Sequence, residues 1–118
     1  MMDEILRASM LFDFYGELLT DKQKSIFEMF YLNDLSLTEI GQELNISRQA
    51  VRDQLKRTEK ILSEYEDKLM LLERFYEQKK LVRKIKSIVE DIENSSNLDS
   101  VNIIKIEEIK KIADEIID

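Results

Sequence analysis

The sequence contains no cysteine, no histidine and no proline among its 118 residues, and only two glycines. Without cysteine and histidine the chain can form neither disulfides nor Cys/His metal sites, and it lacks the usual proton-transferring side chain near neutral pH. We therefore expect no metal, no cofactor and no catalytic residues. The missing proline, the scarce glycine and the 36% of charged residues predict a mainly helical protein.

Long apolar runs are absent as well. Nowhere do about 18 apolar residues follow one another, and the amino terminus has no apolar stretch flanked by basic residues. These absences predict a soluble cytoplasmic protein with no membrane partner. The length suits one small domain, with or without an appendage.

Charge is unevenly distributed along the chain. The net charge is −7, but residues 47–60 carry five basic and two acidic side chains, and residues 79–86 carry five basic and no acidic ones. Because phosphate binding acts over a Debye length of roughly 10 Å, an acidic chain can still present a basic face to nucleic acid.

Residues 36–57 have the pattern of a helix-turn-helix. Gly41 is small where the two helices must approach, and Asn45 stands where the turn can need a left-handed backbone. Ser47 is a natural N-cap for the second helix. The apolar contacts that two crossing helices need are supplied by Ile40, Leu44, Ile46, Val51 and Leu55.

Further helices are predicted on both sides. A first helix spans about residues 3–17. Thr20 with Gln23, and Ser36 with Glu39, form capping-box patterns that start the second and third helices, and Asn33-Asp34 ends the second. Residues 94–97 predict a linker, and a last amphipathic helix covers about 106–116. We divide the chain into residues 1–62, with the helix-turn-helix, and a helical extension, 63–118.

The fourth helix is predicted to run from Ser47 to Tyr76 because a four-three apolar spacing continues that far. This seam can pack against the protein's own first helices or form a homodimer through the long helix, with packing inside the chain favoured for its first half. A second series of the same spacing, Leu81, Ile85, Ile88 and Ile92, is expected to face inward.

The start of the fourth helix carries the candidate nucleic-acid contacts. In a helix-turn-helix these residues reach base edges and phosphates in the major groove. Arginine can bridge guanine N7 and O6, and glutamine can pair with adenine. The candidates are Ser47, Arg48, Gln49, Arg52, Lys56 and Arg57. The alternative to nucleic-acid binding is that these residues form an ordinary solvated helix face. For the basic residues of 79–86, this alternative is favoured over binding.

Several motifs resemble known families. The helix-turn-helix is similar to region 4 of bacterial extracytoplasmic-function sigma factors, which reads promoter DNA, and more closely to the YlxM family of small bacterial proteins. The motifs that carry the second resemblance are LFDFY (11–15), LLTDKQ (18–23), DLSLTEI (34–40), SRQAV (47–51), Lys56-Arg57 and YEDKL (65–69). In that family the genes lie beside those of signal recognition particle GTPases, which implies a regulatory role in protein targeting.

Two functions remain open from these observations. The first is a regulator that binds double-stranded DNA. The second is a non-catalytic accessory factor that binds signal recognition particle RNA or its GTPase.

Overall fold

The computed structural model of the chain describes residues 3–95 and 99–117, and every regular element in these ranges is helical, as the composition predicted. The α-helices are α1 Glu4–Tyr15, α2 Asp21–Phe27, α3 Leu37–Leu44, α4 Arg48–Leu69, α5 Leu71–Ser95 and α6 Ser100–Ile117. A 3-10 turn, Gly16–Leu18, follows α1, and a π-helical turn, Glu28–Leu32, extends α2.

Both predicted capping boxes are confirmed. The Thr20 hydroxyl accepts a hydrogen bond from the backbone N–H of Gln23, and the Gln23 side chain accepts one from the N–H of Thr20. Ser36 and Glu39 make the same reciprocal pair at the start of α3, with both distances 3.0 Å. These bonds satisfy amide groups that the first turn of a helix leaves unpaired, so they fix where α2 and α3 begin.

The core of the amino-terminal part lies where α2, α3 and the first half of α4 meet. Ile26, Ile40, Val51 and Leu55 form its buried centre. Aromatic rings extend it towards α1, because Phe27 stacks on Phe12 at 4.7 Å between ring centroids and on Tyr31 at 4.4 Å. The first half of the predicted heptad seam is therefore buried inside the chain.

The predicted helix from Ser47 to Tyr76 is interrupted, which corrects our expectation. α4 ends at Leu69, and Met70 adopts a left-handed conformation with φ 56°. The new helix begins against buried polar groups: the backbone N–H of Leu71 donates to the Tyr15 hydroxyl at 3.1 Å, and that of Leu72 donates to the Glu66 carboxylate at 3.0 Å. The Tyr15 hydroxyl itself donates to Glu66 at 2.6 Å. These contacts give the first amide groups of α5 partners that a continuous helix would not need.

The chain divides into two compact units, Met1–Leu72 and Glu73–Asp118. The domain boundary that we expected after residue 62 falls inside α4. Of the predicted linker, residues 94 and 95 belong to α5, whereas 96 and 97 lie outside the described residues. The last helix begins at Ser100, earlier than predicted.

Within the second unit, α5 and α6 run antiparallel. Lys86 pairs with Asp114 at 2.6 Å, and Glu93, further along α5, pairs with Lys110, which comes earlier in α6. The side chains buried between the two helices are Val82, Val89, Ile106 and Ala113. The second four-three series was expected to face inward, and this was wrong: Leu81, Ile85, Ile88 and Ile92 are exposed.

Candidate nucleic-acid interface

The turn between α3 and α4 has the tight geometry that the sequence predicted. Asn45 ends α3 in the left-handed conformation, with φ 57° and ψ 46°. The backbone N–H of Ile46 then donates to the carbonyl of Gly41 at 2.9 Å. A Cβ at Gly41 would lie 2.7 Å from the carbonyl oxygen of Ile46, so only glycine fits without a backbone shift. The turn thus needs a residue without a Cβ at Gly41 and a residue that tolerates a left-handed backbone at Asn45.

Ser47 begins the second helix of the motif. Its hydroxyl oxygen accepts a hydrogen bond from the backbone N–H of Ala50 at 3.0 Å, which makes Ser47 the N-cap of α4. The hydroxyl hydrogen is still free to donate, and the helix start carries partial positive charge. Both features suit a phosphate oxygen near this end of α4.

One side of α4 is buried and the other is exposed. Val51 and Leu55 face the core, together with Leu62 in the second half of the helix. The candidate contact residues all lie outside this buried row and are exposed: Ser47, Arg48, Gln49, Arg52, Lys56 and Arg57. Burial of one row therefore orients the basic side chains of the helix towards solvent.

Arg48, Gln49 and Arg52 are brought together by the fold. With Leu37 from the start of α3, they line a shallow hollow on the surface. Arg48 and Arg52 are four residues apart, so they are neighbours on the helix surface. Two guanidinium groups and one amide thus lie together at the amino-terminal end of α4. A helix-turn-helix directs this end of its second helix into the major groove.

Gln49 has a partner within its own helix. Its side-chain nitrogen donates to the Asp53 carboxylate at 3.0 Å, leaving the amide oxygen available as an acceptor. Pairing with adenine uses both the nitrogen and the oxygen of the amide. A base contact by Gln49 therefore requires that its bond to Asp53 be broken.

Lys56 and Lys60 continue the exposed row that begins with Gln49 and Asp53, since these residues follow one another three or four positions apart. Arg57 is placed differently. It comes nine residues after Arg48, about two and a half helical turns, so it lies across the helix from Arg48, although it follows Asp53 by four residues and therefore borders the exposed row. The fold does not bring Arg57 to the hollow.

Comparison with known proteins assigns the family. The family described as "Putative helix-turn-helix protein, YlxM / p13 like", UPF0122, matches residues 2–114. The chain belongs to the UPF0122 family. UPF0122 proteins of Bacillus thuringiensis (strain Al Hakam) and Bacillus cereus (strain 03BB102) are each 51% identical to it over 94 residues, which cover 80% of this chain and 86% of the relative. The UPF0122 protein of Bacillus mycoides (strain KBAB4) has the same identity and coverage. The resemblance to the YlxM family is thereby confirmed.

The basic side chains of this UPF0122 protein's second motif helix are not neutralised by neighbours. Across residues 3–95 and 99–117, none of the five cations between Ser47 and Lys60 forms an ion pair. Asp53 is engaged with Gln49, and Glu59 accepts a hydrogen bond from the Tyr31 hydroxyl. The ion pairs of an ordinary solvated helix face are therefore not formed here.

Sequence reasoning missed two participants in the hollow of the UPF0122 chain. Leu37 was not assigned to it, because only the crossing of α3 over α4 brings that side chain beside Arg48 and Arg52. Asp53 was not assigned as the partner of Gln49, although a spacing of four residues in a helix was a usable signal.

Neither a metal-binding acidic group nor a membrane-spanning helix is present in the parts of the chain that the structure describes. Those parts contain no group of three acidic residues that could hold a metal ion. They also include no helix that is both long enough and apolar enough to span a bilayer.

Proposed function

We propose that the chain is a non-catalytic regulator that binds double-stranded DNA through the amino-terminal half of α4. The observation that carries this proposal is the exposed group of Arg48 and Arg52 beside Gln49, at the start of the second helix of a helix-turn-helix, where neither arginine forms an ion pair with a described residue. Membership of a family described as helix-turn-helix supports it. We place this activity in the cytoplasm.

Each contact residue has a defined role in this proposal. Arg48 and Arg52 contact base edges, and either can form two hydrogen bonds to a guanine. When an adenine lies within reach, the Gln49 side chain breaks its hydrogen bond to Asp53 and pairs with that base. Ser47 and the first amide groups of α4 hold a phosphate, and Lys56 with Lys60 extends the backbone contacts along the exposed row. Arg57 borders this row and contacts a phosphate away from the hollow.

The test is fluorescence anisotropy of labelled genomic DNA fragments against the full chain, at about 50 and 200 mM salt because phosphate contacts weaken steeply with salt. Arg48→Ala and Arg52→Ala should each weaken binding to a preferred fragment by about 1–3 kcal/mol per lost base contact. Lys68→Ala is the matched control, since it removes one positive charge from the far end of α4. Unchanged affinity in both arginine variants would reject this helix as the reader of DNA.

A second candidate function uses the same protein in a different complex. An accessory factor of the signal recognition particle would bind the particle's RNA or its GTPase. The basic stretch of α5 favours it: Arg83 and Lys84 are exposed and form no ion pair among the described residues. Particle RNA binding that survives loss of Arg48 and Arg52 would support this candidate. Absence of binding to both the RNA and the GTPase would reject it.

A further inference from the structure

Within the second unit, the hairpin of α5 and α6 has a further apolar face whose described side chains are exposed. Only one row of each helix is buried between the two helices, through Val82, Val89, Ile106 and Ala113. Beside it lies a row of large aliphatic side chains that are each 43% to 63% exposed: Leu81, Ile85, Ile88, Ile92, Ile109, Ile112 and Ile116. Soluble proteins rarely leave such a continuous face open to water.

The spacing of this face is that of a helical bundle. Its residues recur at intervals of four and three along both helices, which are the two core positions of a heptad. The buried row occupies the position directly after one of them. A helix in a four-helix bundle buries about three of every seven residues, whereas α5 and α6 each bury only one of every seven. The hairpin therefore has the apolar pattern of one half of a four-helix bundle.

The exposed face includes a groove between the two helices. Ile85 of α5 and three isoleucines of α6 line a groove whose floor is Val82 and Ala113. The seven large aliphatic side chains of the face are all at least 43% exposed, so a partner can remove each of them from water.

We propose that this face binds the same face of a second copy of the chain, so that two hairpins form an antiparallel four-helix bundle. A contact of one surface with itself needs a two-fold axis, and the ion pair between Lys86 and Asp114 shows where that axis fits, because it sets these residues at one level of the hairpin. Ile85 and Ile88 flank this level on α5, and Ile112 and Ile116 flank it on α6.

A single axis at that level satisfies both helices. It sets Ile85 opposite Ile88 of the second copy in the contact between the two α5 helices. The same axis sets Ile112 opposite Ile116 of the second copy in the contact between the two α6 helices.

Charges beside the face agree with this arrangement. Lys84 and Asp91 border the α5 part of the face, are exposed, and form no ion pair within residues 3–95 and 99–117. The proposed axis sets Lys84 beside Asp91 of the second copy, and Asp91 beside Lys84 of the second copy. Charges in these flanking positions choose partner and orientation in helical bundles. On α6, Glu115 meets its own copy, which is the unfavourable contact of the arrangement.

The test is the oligomeric state of the full chain by sedimentation velocity, with circular dichroism to show that each variant is folded. We expect a dimer at micromolar concentration. Lys84→Asp and Asp91→Lys should each weaken dimerisation about tenfold or more, because each replaces two attractive contacts with two repulsive ones. The double variant restores both pairs with reversed charges, so it should dimerise like the starting chain. Glu115→Gln should strengthen the dimer.

Three results would overturn the proposal. The first is a chain that remains monomeric at about 100 μM, because interfaces of standard size bind with dissociation constants between micromolar and picomolar. The second is a dimer that persists when Ile88→Lys introduces a charge into the face. The third is a double charge exchange that fails to restore what each single exchange removed, since the reciprocal pairing of Lys84 and Asp91 would then not exist.

Discussion

At the scale of single residues, the close approach of α3 and α4 depends on Gly41. Gly41→Ala should lower the free energy of unfolding by about 1–3 kcal/mol, because the added Cβ meets the backbone oxygen of Ile46, which cannot rotate away. Alanine would otherwise stabilise a helix by about 0.5–1 kcal/mol relative to glycine. Urea unfolding followed by circular dichroism measures the change.

Gly16→Ala is the control for this substitution. A Cβ there would meet the edge of the Phe12 ring at 3.1 Å, and a side chain can move where a backbone oxygen cannot. We expect a much smaller effect on stability. A Gly41→Ala protein as stable as the starting chain would show that the turn tolerates a wider crossing of the two helices.

Asp53 is the acid placed closest to the proposed reading residues, since it holds the Gln49 side chain. Asp53→Ala should tighten binding to duplex DNA roughly two- to fivefold at low salt, because it releases Gln49 and removes a negative charge from the face. Asp67→Ala changes the net charge equally on the same helix, but lies about 21 Å further along it, beyond a Debye length. Equal effects of the two substitutions would mean that only the total charge matters.

At the scale of elements, the sequence predicted the conformation of Asn45 but not that of Met70. Asparagine tolerates a left-handed backbone, so its place after Leu44 was a local signal. Methionine has no such preference, and the four-three apolar spacing continued through it. At the interruption the first amide groups of α5 contact Tyr15 and Glu66, which are 51 residues apart in sequence. Local patterns cannot reveal a contact of that range.

The same limit applies to the hairpin of α5 and α6. Both helices have apolar rows three positions wide, so the sequence alone could not tell which row faces the partner helix. The ion pairs Lys86–Asp114 and Glu93–Lys110 accompany burial of the Val82 and Val89 row. In the candidate site, by contrast, the residue types at the start of α4 could be assigned because the helix-turn-helix pattern fixes which end of the helix is presented.

Tyr15 joins α1 to the junction of α4 and α5, and its removal tests that junction. Tyr15→Phe should lower the free energy of unfolding by about 1–3 kcal/mol, because buried Glu66 loses a donor and the N–H of Leu71 loses its acceptor. Tyr65→Phe is a matched control. Tyr65 stacks on Tyr15 at 5.9 Å, but its hydroxyl has no hydrogen bond in the described part of the chain. Urea unfolding should separate the two variants.

The pH dependence of stability gives a second readout of the same junction. Burial, and then the hydrogen bond to Glu66, raises the pKa of Tyr15 above its ordinary value of 10.0. The folded state thus retains the phenol proton more strongly than the unfolded state, so this stabilisation is present below pH 10.0 and is lost as the pH rises above it. Tyr15→Phe should therefore flatten the fall in stability on the alkaline side. A slope unchanged from the starting chain would count against the contact.

At the scale of the whole molecule, an acidic chain is proposed to bind an acidic polymer. The net charge of −7 repels nucleic acid at long range, and only a local group of cations can reverse this near α4. The basic stretch of α5 supplies a comparable group elsewhere in the chain. The two groups of cations can be distinguished by substitutions that remove the same charge from α4 and from α5. The group that contacts DNA is the one whose loss weakens binding.

Lys56→Gln with Lys60→Gln should weaken duplex binding and reduce the slope of log affinity against log salt by about 2, because two phosphate contacts are lost. Lys80→Gln with Arg83→Gln changes the net charge equally in α5, outside the apolar face, and should leave the slope unchanged. Anisotropy titrations at several salt concentrations measure both slopes. If instead the α5 pair moved the slope and the α4 pair did not, the second unit would be the binding surface and the helix-turn-helix would serve another purpose.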